Sequence, residues 1–179
     1  MSLDIQTTLR LSTKAIKNNA SIQITFDNKP ETDWQDELER FDKAIQLDPD
    51  NAVFYSRRGE AYKKLGRYEE AVTDYSKAIQ LNPNNTVYYH SCRGYNYFLL
   101  RNYEEALAGF NEAIKINPNE ADFYKARGEA FKTQGKTKLA ILDFEKVLSL
   151  KPDNVEARQI LDGLRGSAVS QEPRQKTAC

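Results

Sequence analysis

Residues 51–83 read NAVFYSRRGEAYKKLGRYEEAVTDYSKAIQLNP, and the order of residue types in that stretch decides the fold. Gly59, Tyr62, Tyr68, Ala71, Tyr75, Ala78 and Pro83 return at equivalent offsets as Gly94, Tyr97, Tyr103, Ala106, Phe110, Ala113 and Pro118. They return again as Gly128, Phe131, Ala140, Phe144, Val147 and Pro152, with Lys138 in an aromatic position. Pro49, Pro83, Pro118 and Pro152 are 34, 35 and 34 residues apart. Each period holds two helices joined by a turn. Asp50 or Asn51 caps the first helix, Gly66 or Gly135 breaks it, and Leu81-Asn82-Pro83-Asn84 ends the second. Recurring glycine and alanine let the paired helices approach, and the aromatic rings fill the space around them. One such unit cannot bury its apolar faces alone, whereas three stacked units with polar ends can.

This pattern resembles the tetratricopeptide repeat family over roughly residues 51–152. The resemblance implies an all-α chain, an α-solenoid of antiparallel helix pairs forming a superhelix with a concave groove. It divides the chain into an N-terminal segment of uncertain structure (1–30) and a half-repeat capping helix (31–50). Three repeats follow (51–85, 86–120 and 121–154), then a C-terminal capping helix (155–165) and a disordered tail (166–179). In the half-repeat, Thr32-Asp33-Trp34-Gln35 reads as a capping box opening a helix whose Trp34, Leu38, Phe41 and Ile45 share a face. Upstream, residues 21–26 alternate with period two and do not match a repeat helix. After Pro152, Asn154 starts a helix whose Val155, Ala157, Ile160, Leu161 and Leu164 cover the third unit.

Lysine plus arginine and aspartate plus glutamate number 26 each, so net charge does not direct the chain to nucleic acid or an anionic membrane. Two cysteines, Cys92 and Cys179, make neither a disulfide framework nor a metal motif. With no apolar run at the start long enough for export or membrane insertion, a cytoplasmic location is expected. The single histidine, His90, has no catalytic partner at a motif distance, and no phosphate loop or nucleophile elbow is present. The expectation is a non-enzyme without cofactor or metal.

The resemblance places ligand binding on the concave face, lined by the first helix of each unit. Its groove positions fall on Val53, Ser56, Glu60 and Lys63 in unit 1, and on Asp122, Lys125, Glu129 and Lys132 in unit 3. In unit 2 they fall on Tyr88, Ser91, Cys92, Tyr95 and Phe98, with Leu99 beside them, an aromatic patch on a surface expected to face water. Its readings are a ligand anchor, core packing, or cover by the N-terminal segment. One branch of the family grips the C-terminal carboxylate of chaperones with lysine, asparagine and arginine. Ser56, Glu60, Cys92, Asp122 and Ala126 stand at those positions here, so that clamp is not expected.

Two irregularities mark unit 2. Matching Val53-Phe54-Tyr55 with Val87-Tyr88-Tyr89 leaves His90 as an insertion, to be absorbed as a π-bulge inside the helix unless the preceding loop is one residue longer. Arg58, Arg93 and Arg127 each precede the repeat glycine. Asp74 and Asp143 lie sixteen residues after the first and third, but Gly109 follows the second, leaving Arg93 for a partner's acid beside the patch, for Glu104, Glu105 or Glu112, or for water. Cys92 reads as a small structural thiol. The expected partner is a protein or peptide, and the protein a monomer or weak homo-oligomer acting as adaptor or assembly factor. The alternatives are a self-assembling module and a small secretion-type chaperone.

Overall fold

The computed structural model describes residues 31–84 and 86–171, which form eight helices and no strand. They are α1 (Glu31–Leu47), α2 (Ala52–Lys64), α3 (Tyr68–Leu81), α4 (Val87–Leu99), α5 (Tyr103–Ile116), α6 (Ala121–Thr133), α7 (Thr137–Leu150) and α8 (Val155–Gln171). Each helix packs on the next, and α4 also touches α6, so the first helices α2, α4 and α6 form one layer of a helical-repeat solenoid. The readings of residues 1–30, and Cys179, lie outside the described residues.

The repeat glycines explain the pairing. A Cβ added at Gly59 would meet the Tyr75 ring at 3.2 Å, one at Gly94 the Phe110 ring at 3.1 Å, and one at Gly128 the Phe144 ring at 3.1 Å. Those three rings are fully buried, each stabilising the fold by roughly 2 kcal/mol through lost apolar exposure. At the ends, Trp34 and Leu38 of α1 cover Ala61, and Ala157 and Leu161 of α8 complete the cluster around Phe144.

Asn51 caps α2, its side chain accepting from the Val53 amide at 3.2 Å, and the Asn154 side chain accepts from the Ala157 amide at 2.9 Å at the start of α8. The Thr32 side chain, and with it the capping-box reading, lies outside the described residues. Two expectations change at α8. Val155, at the first position of α8, is 66% exposed and does not join the cluster that Ala157, Ile160, Leu161 and Leu164 complete. The last helix runs on to Gln171 rather than ending at residue 165, because Gly166 alone penalises a helix by only about 1 kcal/mol. Of the two placements for the extra residue of unit 2, the longer loop holds: α4 is a regular α-helix without a π-bulge, and the His90 amide donates to the Thr86 carbonyl at 2.8 Å, the ordinary four-residue step. The extra residue lies in the loop: α4 begins four residues after Pro83, whereas α2 and α6 begin three residues after Pro49 and Pro118. His90 therefore occupies the place of Tyr55 and Tyr124.

Candidate binding groove

Aligned from their first residues, α2, α4 and α6 put Val53, Tyr88 and Asp122 at one position and Ser56, Ser91 and Lys125 at the next on the same face. One turn further stand Glu60, Tyr95 and Glu129, then Lys63, Phe98 and Lys132. A cavity of about 530 Å³ opens on this face. Its apolar wall is Cys92, Tyr95, Phe98 and Ala126, backed by Phe110, and its rim is Ser91, Lys63, Asp122, Lys125 and Glu129. A second recess of about 390 Å³ lies beside Val53, Ser56, Arg57, Tyr88 and Tyr89. Glu60 and Lys132 line neither cavity.

The rim charges are held within the fold. Lys63 pairs with Glu60 at 2.9 Å and lies 6.0 Å from the Tyr95 ring centre, and Glu60 accepts from the Tyr75 hydroxyl at 3.0 Å. Lys132 pairs with Glu129 at 2.6 Å, Lys125 with Glu156, and Asp122 with Lys151 at 3.1 Å. The aromatic rings are not withdrawn in the same way. Tyr88 is 54% and Tyr95 45% exposed, and the Tyr95 and Phe98 rings lie 6.3 Å apart. Burial pushes the Cys92 thiol above its ordinary pKa, against the opposing pull of the Tyr88 hydroxyl and Lys63, so Cys92 is a neutral wall of the cavity rather than a nucleophile.

Arg93 does not belong to this surface. It stands two residues before Tyr95, about 160° away around the helix, and meets α3 instead. The expectation that it flanks the aromatic patch is therefore corrected. In units 1 and 3 the equivalent arginines close a seam between successive second helices. Arg58 donates to both carboxylate oxygens of Asp74 at 2.7 and 2.8 Å and to Asp42 of α1 at 2.6 Å. Arg127 donates to both oxygens of Asp143 at 2.7 and 2.9 Å and to Asn111 of α5 at 2.6 Å. These bonds raise both guanidinium pKa values, that of Arg58 chiefly through Asp74. Aromatic rings flank both: Tyr55 and Tyr62 beside Arg58, Tyr124 and Phe131 beside Arg127.

Among the described residues Arg93 has only the Ser76 hydroxyl at 3.4 Å, and its Nε is buried without a partner there. His90 stands in place of the tyrosine. Burial, then Arg93, lowers the histidine pKa, with Glu112 opposing, and its Nδ1 is buried without a partner among the described residues. Gly109 replaces the aspartate, and a Cβ there would lie 2.9 Å from Gly94 Cα and 2.9 Å from the His90 carbonyl. The close backbone approach thus fills the space that an aspartate side chain occupies elsewhere.

Two further departures are visible when the units are compared position by position. Asn96, fully buried, stands where Ala61 and Ala130 do. Its side chain donates to the Cys92 carbonyl at 2.8 Å, while its Oδ1 has no partner among the described residues. The turn after α4 carries Arg101 at φ +62°, where units 1 and 3 carry Gly66 at +72° and Gly135 at +70°. A side chain in that left-handed conformation costs about 1–2 kcal/mol.

The models of the tetratricopeptide repeat and TPR repeat match residues 52–85, 94–135 and 121–154. The first TPR domain of human RPAP3 is 31% identical, the match covering 66% of this chain and 93% of that domain with a TM-score of 0.62. The chain belongs to the tetratricopeptide repeat family. A structure of the first TPR of Spaghetti (RPAP3) bound to the HSP90 peptide SRMEEVD is 30% identical over the same shares, TM-score 0.63. MamA from Desulfovibrio magneticus RS-1 shares the fold at 18% identity, covering 94% of this chain and 88% of that one with a TM-score of 0.73. Among the described residues of this TPR protein, no helix is long and apolar enough to cross a membrane, and no three His, Cys, Asp or Glu side chains gather as a metal site.

Proposed function

We propose that the protein is a non-catalytic interaction scaffold, an adaptor or assembly factor that holds a peptide or protein segment in the concave groove, with its main anchor in unit 2. The observation that carries this reading is the cavity walled by Tyr95, Phe98 and Cys92, whose aromatic surface stays partly open while the surrounding charges are paired inside the fold. Aromatic residues beside a recess are the usual anchors of protein interfaces. The peptide-bound RPAP3 relative supports binding of a segment in such a groove. Recognition of a terminal carboxylate through the family clamp is disfavoured, because Glu60 and Asp122 put acids at two of its positions. End-to-end self-assembly is disfavoured at the C-terminal end. There α8 carries exposed Asp162 and Arg165 where a first helix has its glycine and aromatic, and Arg165 is tied to Glu145 at 2.7 Å.

The test is selection from a random peptide library followed by Tyr95→Ala and Phe98→Ala. A selective binder whose affinity falls at least about tenfold in either variant supports the groove reading. Concentration-dependent dimers without peptide preference would replace it with self-assembly.

A further inference from the structure

The α4–α5 turn has the backbone hydrogen bonds of its two counterparts. The Arg101 amide donates to the Phe98 carbonyl at 3.0 Å, as Gly66 does to Lys63 and Gly135 to Lys132, each at 3.0 Å. The next amide, on Asn102, donates to the Tyr97 carbonyl at 2.9 Å, as Arg67 does to Tyr62 and Lys136 to Phe131, each at 2.9 Å. The geometry therefore demands a left-handed residue, and two units supply glycine. Unit 2 supplies the longest cationic side chain in its place. Among the described residues nothing repays that strain: the Arg101 side chain is exposed and makes no hydrogen bond, ion pair or ring contact. The neighbouring turn differs in this respect, since Arg67 pairs with Glu70 at 2.7 Å and lies 4.6 Å from the centre of the Tyr62 ring. A strained conformation retained without internal reward points to a role outside the fold.

Position supplies the role. Arg101 follows Phe98 by three residues, and Phe98 lines the groove cavity and lies 5.9 Å from the Tyr103 ring. The lysines beside the cavity are occupied, Lys63 by Glu60 and Lys125 by Glu156. Arg101 is thus an uncommitted cation whose backbone adjoins Phe98 at the turn end of α4. We propose that Arg101 extends the groove site and selects protein segments carrying an aspartate or glutamate next to the apolar anchor. A guanidinium fork matches a carboxylate in two parallel hydrogen bonds, which a lysine would not reproduce. This inference rests on the groove reading.

Its test uses synthetic peptides of about twelve residues with one central phenylalanine flanked by Glu, Gln or Lys, titrated by fluorescence anisotropy against the full chain and its Arg101→Gly and Arg101→Gln variants. The full chain should bind the Glu peptide about fivefold tighter than the Gln peptide. The preference should vanish in both variants, while the Gln peptide binds all three proteins alike and Arg101→Gly melts at a higher temperature. Equal affinity of the full chain for Glu and Gln peptides, or a preference that survives in Arg101→Gly, would overturn the proposal. If the phenylalanine peptides bind in a Tyr95-dependent way without a Glu preference, only the Arg101 inference fails; if none binds, both readings fail together.

Discussion

Units 1 and 3 use the arginine before the repeat glycine as an internal clasp, and unit 2 has the same arginine but glycine in place of the aspartate. Arg58 and Arg127 each bind a bidentate aspartate on their own second helix, an acceptor on the preceding one, and two aromatic rings. Among the described residues Arg93 is left with one long hydrogen bond. Of the four buried side-chain polar atoms without a partner among the described residues, three lie on α4, at His90, Arg93 and Asn96, so the mismatch is concentrated in one helix. That helix is also the one whose opposite face carries the open aromatic surface. Its neighbours have their charges matched internally, and unit 2 holds together by a closer helix approach at Gly94 and Gly109 instead.

The largest expected effect comes from forcing unit 2 to copy its neighbours. Gly109→Asp should not restore the clasp, because its Cβ would strike the Gly94 and His90 backbone. A loss of about 3 kcal/mol in urea unfolding is expected from overpacking against atoms that cannot yield. A stable Gly109→Asp protein would show that the close approach is incidental. Next in size is a paired removal. Arg127→Met should cost about 3 kcal/mol because it strands the buried Asp143 carboxylate, whereas Arg93→Met should change stability by less than about 0.5 kcal/mol. Equal losses in the two variants would erase the distinction between the units.

The smallest effect is a pH slope. His90 is the chain's single histidine, and its folded pKa lies below the ordinary value, so below that ordinary value the unfolded chain takes up a proton that the native state does not. Stability measured from pH 7 downward should therefore fall through the histidine range until the lower native pKa is reached. His90→Tyr, which gives Arg93 the ring its counterparts have, should flatten that slope. A slope unchanged in His90→Tyr would assign it to carboxylates.

The fold was legible in the sequence because its signal is repeated. Glycine, aromatic and proline offsets recur often enough to fix the helix pairs, and the sixteen-residue spacing from Arg58 to Asp74 and from Arg127 to Asp143 named two clasps that the structure forms. Events that occur once were harder to read. The extra residue near His90 could be placed in the helix or in the loop, because valine and tyrosine run together on either side; the four-residue hydrogen-bond step back to Thr86 places it in the loop. Arg93 was legible in principle, since two residues along a helix face opposite ways, but its nearness in sequence to Tyr95 suggested a shared surface. Arg101 was hidden because a φ value has no spelling of its own; only the glycines of the sister turns reveal what the position demands. The end of α8 was misplaced because one glycine is a weak helix stop.

The middle unit is proposed to carry the binding energy, and position-matched substitution tests this most directly. Tyr95 and Glu129 occupy the same place on α4 and α6, and both line the cavity. Isothermal titration of one library-selected peptide against Tyr95→Ala and Glu129→Ala should show at least about a tenfold loss of affinity at Tyr95 and less than about twofold at Glu129. Equal losses at the two positions, or a larger loss at Glu129, would contradict the account.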